Sequence, residues 1–280
     1  MTTSTVTTGP ARRRRAGRTN TLSGPTGLGL GVAVLWLSLL VLIPLALVVT
    51  TALSGGISGF FSTITSSSTL AAIELTVVES LLVTLLNVVI GTVIAWVLVR
   101  DRFWGKRILD VVIDIPFALP TIVAGLVLLS LYGPRSPIGV NVAGTRASVF
   151  LALAFVTLPF IVRTVQPVLE ELDADVEEAA ASLGASRFTT FRRIILPSLV
   201  PAIAAGSSLG FARGISEYGS LLLISGNLPG RTEVVSVRLF SFLEGGNLAA
   251  AAAVATIMLM VALLAIVVLD VVQRRVARRG

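Results

Sequence analysis

Six long apolar runs, separated by short polar stretches, dominate the chain: residues 28–53, 75–99, 111–132, 149–168, 198–224 and 248–272. A helix rises about 1.5 Å per residue, so about 20 apolar residues cross a hydrocarbon layer about 30 Å thick while satisfying their own backbone hydrogen bonds. The runs therefore predict an all-α membrane protein with six transmembrane helices in one domain, residues 28–273. The first run is longer than the roughly 7–15 residues of a secretory signal core and is read as a span. Ahead of it, residues 1–27 are rich in Thr, Gly and Arg, with Arg12, Arg13, Arg14 and Arg15 consecutive. Too polar to bury a core, they predict a disordered basic tail, and residues 274–280 a second, shorter basic tail.

Composition fits this pattern. The 280 residues are 54% hydrophobic and 13% charged, against about 25% charged in an ordinary soluble domain. Cys and His are absent, which removes disulfides, thiolate or imidazole metal sites and His-based acid–base catalysis. A net charge of +7 invites a nucleic-acid reading, but the arginines sit beside apolar spans rather than along one soluble face. Their distribution sets orientation instead. With the N-terminus inside, 17 of the 22 Lys and Arg fall on that side; Arg135, Arg146, Arg231 and Arg238 fall outside, and Arg213 lies within the fifth span. The positive-inside rule then predicts a multi-pass protein of the cytoplasmic membrane with both termini cytoplasmic.

This topology leaves one sizeable cytoplasmic loop, at about residues 169–197, between spans four and five. Five acids lie between Glu171 and Glu178, followed by Gly184 and a basic amphipathic segment, so the loop reads as two short helices bent at Gly184. Glycine there permits the left-handed conformation that ends one helix and aims the next, and Ala179, Ala180 and Ala181 allow close approach of another backbone. Pro197 is tolerated where the next helix begins, because the first amides have no intrahelical partner. Local capping by Asp175 and Glu178 explains part of the pattern. It leaves the spacing of Ile194, Leu196 and Pro197 unaccounted for.

Together Glu178, Ala179, Ala180, Gly184, Ile194, Leu196 and Pro197 spell EAA-x3-G-x9-I-x-LP. At these positions the chain resembles the permease subunits of ATP-binding-cassette importers of the type I fold, whose cytoplasmic EAA loop docks on the ATPase. Three further stretches narrow the resemblance: DIPFALPTIVAG at 114–125, PFIVRTVQPVLEEL at 159–172 and EYGSLLLISGN at 217–227. They are similar to the sulfate/thiosulfate permeases, in particular the T subunit, over residues 28–273. Molybdate and tungstate permeases share the loop and an acidic-aromatic-glycine turn. The resemblance implies import of sulfate and thiosulfate, with ABC ATPase subunits, a second, related permease chain and an extracytoplasmic sulfate-binding protein as partners. It also implies that ATP is bound by the ATPase subunits and that this chain, lacking a Walker lysine motif, is no enzyme and carries no cofactor of its own. Lipid is its other partner; nucleic acid is not expected.

Four polar or helix-breaking positions inside the spans are candidates for the translocation path. Pro116 and Pro120 stand four apart in the third span, where each removes a backbone hydrogen bond; such kinks either line cavities or serve packing. Arg213 lies roughly 24 Å from Pro197 along the fifth span, with Glu217 four residues on. That spacing permits an intrahelical ion pair or a cation that transiently attracts a divalent anion. Asp110 and Asp114 are expected to pair with Arg107 or another basic group, and Arg163 to reach the interface or anchor the loop. A secondary transporter driven by an ion gradient is the rival from another class, but no internal repeat supports it. A membrane subunit without a path is the other.

Overall fold

The computed structural model describes residues 24–172 and 174–277. Among these the chain is helical throughout, without a strand. It divides into two units, residues 1–46 and 47–280. The first contains α1 (Gly24–Leu37), a wide π turn at Ser38–Leu42 and the start of α2 (Ile43–Ala52). The arginines expected in a disordered tail, residues 12–15 and 18, lie outside the described residues, as do residues 278–280.

The second unit continues with α3 (Gly56–Ile64), α4 (Ser67–Arg100), α5 (Lys106–Ala118), α6 (Thr121–Tyr132) and α7 (Arg146–Glu171). Beyond these come α8 (Ala174–Ser182), α9 (Arg187–Thr190), a π turn at Phe191–Ile195, α10 (Leu196–Ile215), α11 (Gly219–Ile224), α12 (Val235–Glu244) and α13 (Leu248–Ala277). Among the described residues, five helices are long and apolar enough to cross a membrane: Leu28–Ala52, Ser67–Arg100, Arg146–Glu171, Arg187–Ile215 and Leu248–Val268. Four of the expected spans therefore survive as continuous helices, and two require correction. The third is broken into α5 and α6, whose axes turn by 117°. The fifth begins earlier, at Arg187, and its α-helix ends at Ile215, so that residues 219–224 form a separate helix. The last helix runs on to Ala277, past the boundary at residue 273.

Why the breaks fall where they do is local chemistry. Proline disfavours the α conformation of the residue before it; Leu119 is extended, at φ −86°, ψ 135°. Pro120 then precedes the first turn of α6, at φ −54°, ψ 135°. In the fifth span Gly214, Ser216 and Tyr218 weaken the helix, and the Glu217 carboxylate takes the Ser220 N–H, a local hydrogen bond that competes with it.

The long helix α4 shows how the bundle inverts the soluble pattern. Its buried stripe is largely small or polar, including Thr69, Ala72, Thr76, Ser80, Thr84, Asn87, Gly91 and Ala95. Its exposed face carries Leu81, Leu82, Leu85 and Val89. In lipid the apolar face is matched to its surroundings, and association rests on close packing and interhelical hydrogen bonds. Asn87 Nδ2 donates to Ala154 O at 3.1 Å and to Thr157 Oγ1 at 2.9 Å, tying α4 to α7. This polar layer separates two apolar clusters. One gathers Leu75, Val83, Leu128, Leu153, Leu221 and Ile224; the other, Leu98, Ile113, Val165, Leu169, Ile195 and Leu199.

Candidate coupling and translocation sites

The loop between α7 and α10 folds as two short helices around Gly184, which takes φ +82°. Ala185 N–H donates to Ala180 O at 3.0 Å and Gly184 N–H to Ala181 O at 2.9 Å. These are the two reversed bonds of a Schellman ending, which satisfy carbonyls left over by α8. Ser186 then caps α9, its Oγ accepting the Thr189 N–H at 3.2 Å. The bend is thus encoded by three consecutive residues.

The motif residues do not all face outwards. Glu178, Ala179, Gly184 and Pro197 are exposed, Ile194 and Leu196 half-buried. Ala180 is 8% exposed, packed within its own chain rather than offered to a partner. Pro197 stands in the first turn of α10, as expected, within a helical rod that runs from residue 187 to 215; it follows the π turn in which Leu196 N–H reaches back to Phe191 O. The widened turn places the irregular hydrogen-bond register where proline has no donor to give.

Two residues outside the motif stand out at the bend. Leu183 is 89% exposed and Phe188 70%, one on each side of Gly184. An apolar residue in a short amphipathic helix reads as core in the sequence, so neither was legible as surface. The segment between α7 and α8 is held from behind by Arg100 at the end of α4, whose Nη2 lies 2.8 Å from Glu177 Oε1 and donates to Leu172 O at 3.0 Å.

Asp110 and Asp114 find Arg163 rather than Arg107. Arg163 Nε donates to Asp114 Oδ1 at 2.8 Å and Nη2 to Asp114 Oδ2 at 2.7 Å, a two-pronged contact. Nη1 donates to Asp110 Oδ1 at 2.8 Å and Gln166 Oε1 at 2.7 Å, while Nη2 also reaches Asp110 O at 2.8 Å. All five guanidinium donors are used. The cluster clamps α5, one half of the broken span, to α7, the helix that leads into the loop.

Within the bundle the two breaks meet. A Cβ on Gly219 would fall 2.8 Å from Ile122 N, and one on Gly125 2.6 Å from Ser220 O, so only glycine lets α6 and α11 approach this closely. Beside this contact Arg213 Nη2 lies 2.7 Å from Glu217 Oε2, with the Glu217 side chain fully buried and that of Arg213 28% exposed. Glu217 Oε1 accepts the Ser220 N–H and hydroxyl, both at 2.8 Å, and its carbonyl accepts the Ser236 hydroxyl at 2.6 Å. The i,i+4 pair therefore exists, but it spans a helix end rather than lying along one helix. Pro120 stands at the junction itself. Pro116 lies one turn before it inside α5, so the two prolines flank a break instead of sharing a face.

Residues 87–279 match the family described as binding-protein-dependent transport system inner membrane component. The sulfate transport system permease protein CysT of a Synechocystis species is 42% identical over 250 residues, 87% of either chain. Its namesake in Escherichia coli is 39% identical over 259 residues, 90% of this chain and 94% of the other. Among solved structures, a bacterial alginate ABC transporter in complex with an alginate-pentasaccharide-bound periplasmic protein has a chain that superposes with a TM-score of 0.75. That match is 17% identical and covers 90% of this chain and 94% of that one. A chain of the inward-facing MetNI methionine ABC transporter gives a TM-score of 0.60, also at 17% identity, over 74% of this chain and 95% of the other. The helical architecture, the loop and the relatives agree: the chain belongs to the family of binding-protein-dependent transport system inner membrane components, in the branch of the CysT permease proteins.

Proposed function

We propose that this chain is a membrane-spanning subunit of an ATP-driven importer of sulfate, and of thiosulfate with it. The observation that carries the reading is the near full-length similarity to proteins named as sulfate transport permeases. The EAA loop and its exposed Leu183 and Phe188 support docking on an ATPase subunit. ATP is bound and hydrolysed there, and this chain contributes no catalysis. A sister permease, most simply a related but different chain, and a sulfate-binding receptor complete the assembly.

The path follows the paired breaks. A dianion crossing a low-dielectric region needs compensating positive potential, yet a deep cluster of fixed cations would hold it too tightly to release. Arg213, partly neutralised by Glu217, meets both demands. A strain lacking this chain is expected to need a reduced sulfur source such as cysteine. Complementation with Arg213→Ala should restore assembly but slow sulfate uptake, and Arg213→Lys should recover part of the rate. Growth of the deletion strain on sulfate, with molybdate or tungstate uptake lost instead, would move the chain to the alternative oxyanion.

Orientation follows from the arginine count. Cysteines introduced at Ser67 and Glu244 should react with an impermeant thiol reagent added outside intact cells, whereas one at Ser182 should react only after the membrane is opened. The reverse labelling would invert the chain.

A further inference from the structure

We infer that the outer mouth of the protein holds an oxyanion entry site built on Arg146 and Arg231, a reading that rests on the sulfate proposal and extends it. A cavity of about 290 Å³ is lined by Gly144, Thr145, Arg146, Gly230, Arg231 and Thr232. Two distant parts of the chain make it, the start of α7 and the turn between α11 and α12. They are joined by hydrogen bonds that leave little play. Gly144 N–H donates to Ile224 O at 2.9 Å and Ser148 Oγ to the same carbonyl at 3.1 Å. The turn carrying Arg231 is equally fixed: Leu228 O accepts the N–H groups of Arg231, Thr232 and Glu233 at 2.9–3.0 Å, and Thr232 Oγ1 accepts that of Leu228 at 3.2 Å.

Charge is distributed unevenly over these arginines. Arg238, close by in sequence, is occupied: it lies 3.7 Å from Glu233, donates to Ser68 Oγ at 2.8 Å and stacks 4.6 Å over Phe242. Arg146 and Arg231 are both exposed and form no salt bridge among the described residues. Two carboxylates stand near them. Glu79 is buried in α4 and forms no salt bridge among the described residues; Glu233 is turned to Arg238. The cavity thus presents two cations whose neutralisation inside the protein is incomplete. No atom stands within 4 Å of where a Cβ would sit on Gly144 or Gly230, so the wall is open for an anion to approach.

The position gives the site its meaning. The cavity adjoins the C-terminal end of α11, whose Ile224 carbonyl anchors it, and the Arg213–Glu217 pair stands at the other end. Six residues of helix span about 9 Å. A divalent oxyanion released at the mouth would meet one guanidinium pair and then, about one short helix deeper, a second, weaker cation. Exposed charges are screened and hold ions weakly, as a station that must hand on its cargo requires.

The test uses the intact transporter in lipid nanodiscs, without its receptor, and measures equilibrium binding of radiolabelled sulfate at low ionic strength. The double variant Arg146→Gln/Arg231→Gln should weaken binding by about tenfold or more, in line with the effect of removing a focusing charge pair. Lysine at both positions should restore a large part, and Arg135→Gln, which alters an exposed arginine outside the cavity, should change nothing. Equal sulfate binding in wild type and double variant, or none in either, refutes the site. So does a double variant that binds free sulfate normally but has lost affinity for the receptor, because the cavity is then a receptor contact. Arginine-dependent binding of molybdate in place of sulfate supports the site while refuting the substrate assignment on which it was placed.

Discussion

Gly184→Val should abolish receptor-stimulated ATP hydrolysis while leaving the chain inserted and assembled with its sister permease. At φ +82° a side chain costs roughly 1–2 kcal/mol, and a β-branched one more. No neighbouring atom lies within 4 Å of the missing Cβ, so the harm comes from the bend and not from a clash. The two Schellman bonds would open and α8 would cease to hand the chain to α9 at the right angle. Asparagine, which tolerates the left-handed region, should retain most of the activity. Phe188→Ser probes the same surface without touching the bend. The ring is 70% exposed and removing it costs the free chain little, but a buried aromatic anchor at an interface is worth about 2 kcal/mol or more. Association with the ATPase should weaken roughly thirtyfold, read by co-purification and by ATPase stimulation. Normal stimulation in both Gly184→Val and Phe188→Ser would sink the docking role. Ala180→Glu is unsuited to this purpose, since Ala180 is buried and a charge there would disrupt the loop itself.

The second large effect should come from Arg163→Gln. The substitution removes the only cation paired with Asp110 and Asp114 among the described residues and leaves two carboxylates one turn apart on α5. Because those carboxylates are 45% and 49% exposed, solvent screening holds the cost to about 1–3 kcal/mol, below that of a fully buried orphan charge. That is enough to loosen the half-span α5 against α7, leaving Ile113 and the Phe117–Phe160 ring contact to hold it. The expected outcome is fewer substrate molecules imported per ATP hydrolysed, because motion of the loop no longer reaches the broken span. Lysine should rescue poorly: a point charge cannot make the two-pronged contact with Asp114 while also holding Asp110. Adding Asp110→Asn and Asp114→Asn should relieve part of the defect. If Arg163→Gln lowers only the yield of protein and leaves the transport-to-ATP ratio unchanged, the clamp is a packing device.

Much of this was legible in the chain because lipid imposes a simple demand. A run of apolar residues long enough to cross it must be a helix, so the spans could be counted. Gly184 was legible for a similar reason, as few residues can end one helix and redirect another. The breaks were less so. Apolar residues flank Leu119–Pro120 on both sides, and a proline that kinks a helix looks in sequence like one that ends it; at Ser216–Tyr218 the polar residues are visible, but an ion pair along one helix explains them as well as a break. Partnerships across the bundle left no local trace: Arg163 lies 49 residues from Asp114, and Arg146 and Arg231, 85 positions apart in the sequence, line one cavity. Ala180, expected to meet a partner, is buried in its own chain, because a helix of nine residues has too little periodicity to say which side is in.

The two half-spans lying side by side also determine what kind of solute the isolated chain is. The helix α6, with 12 residues, extends about 18 Å and α11, with six, about 9 Å, both well short of a hydrocarbon layer about 30 Å thick. Where they stop, peptide groups find partners inside the protein: the Gly144 N–H and the Ser148 hydroxyl reach Ile224 O, Asn227 Nδ2 donates to Leu222 O, and the Val142 N–H to Tyr132 O. Irregular backbone of this kind is tolerated in a membrane where protein buries it, and here Gly219, Ser220, Leu221 and Ile224 are buried within the chain. The chain thus supplies, from its own helices, the polar solvent that lipid withholds from the two breaks.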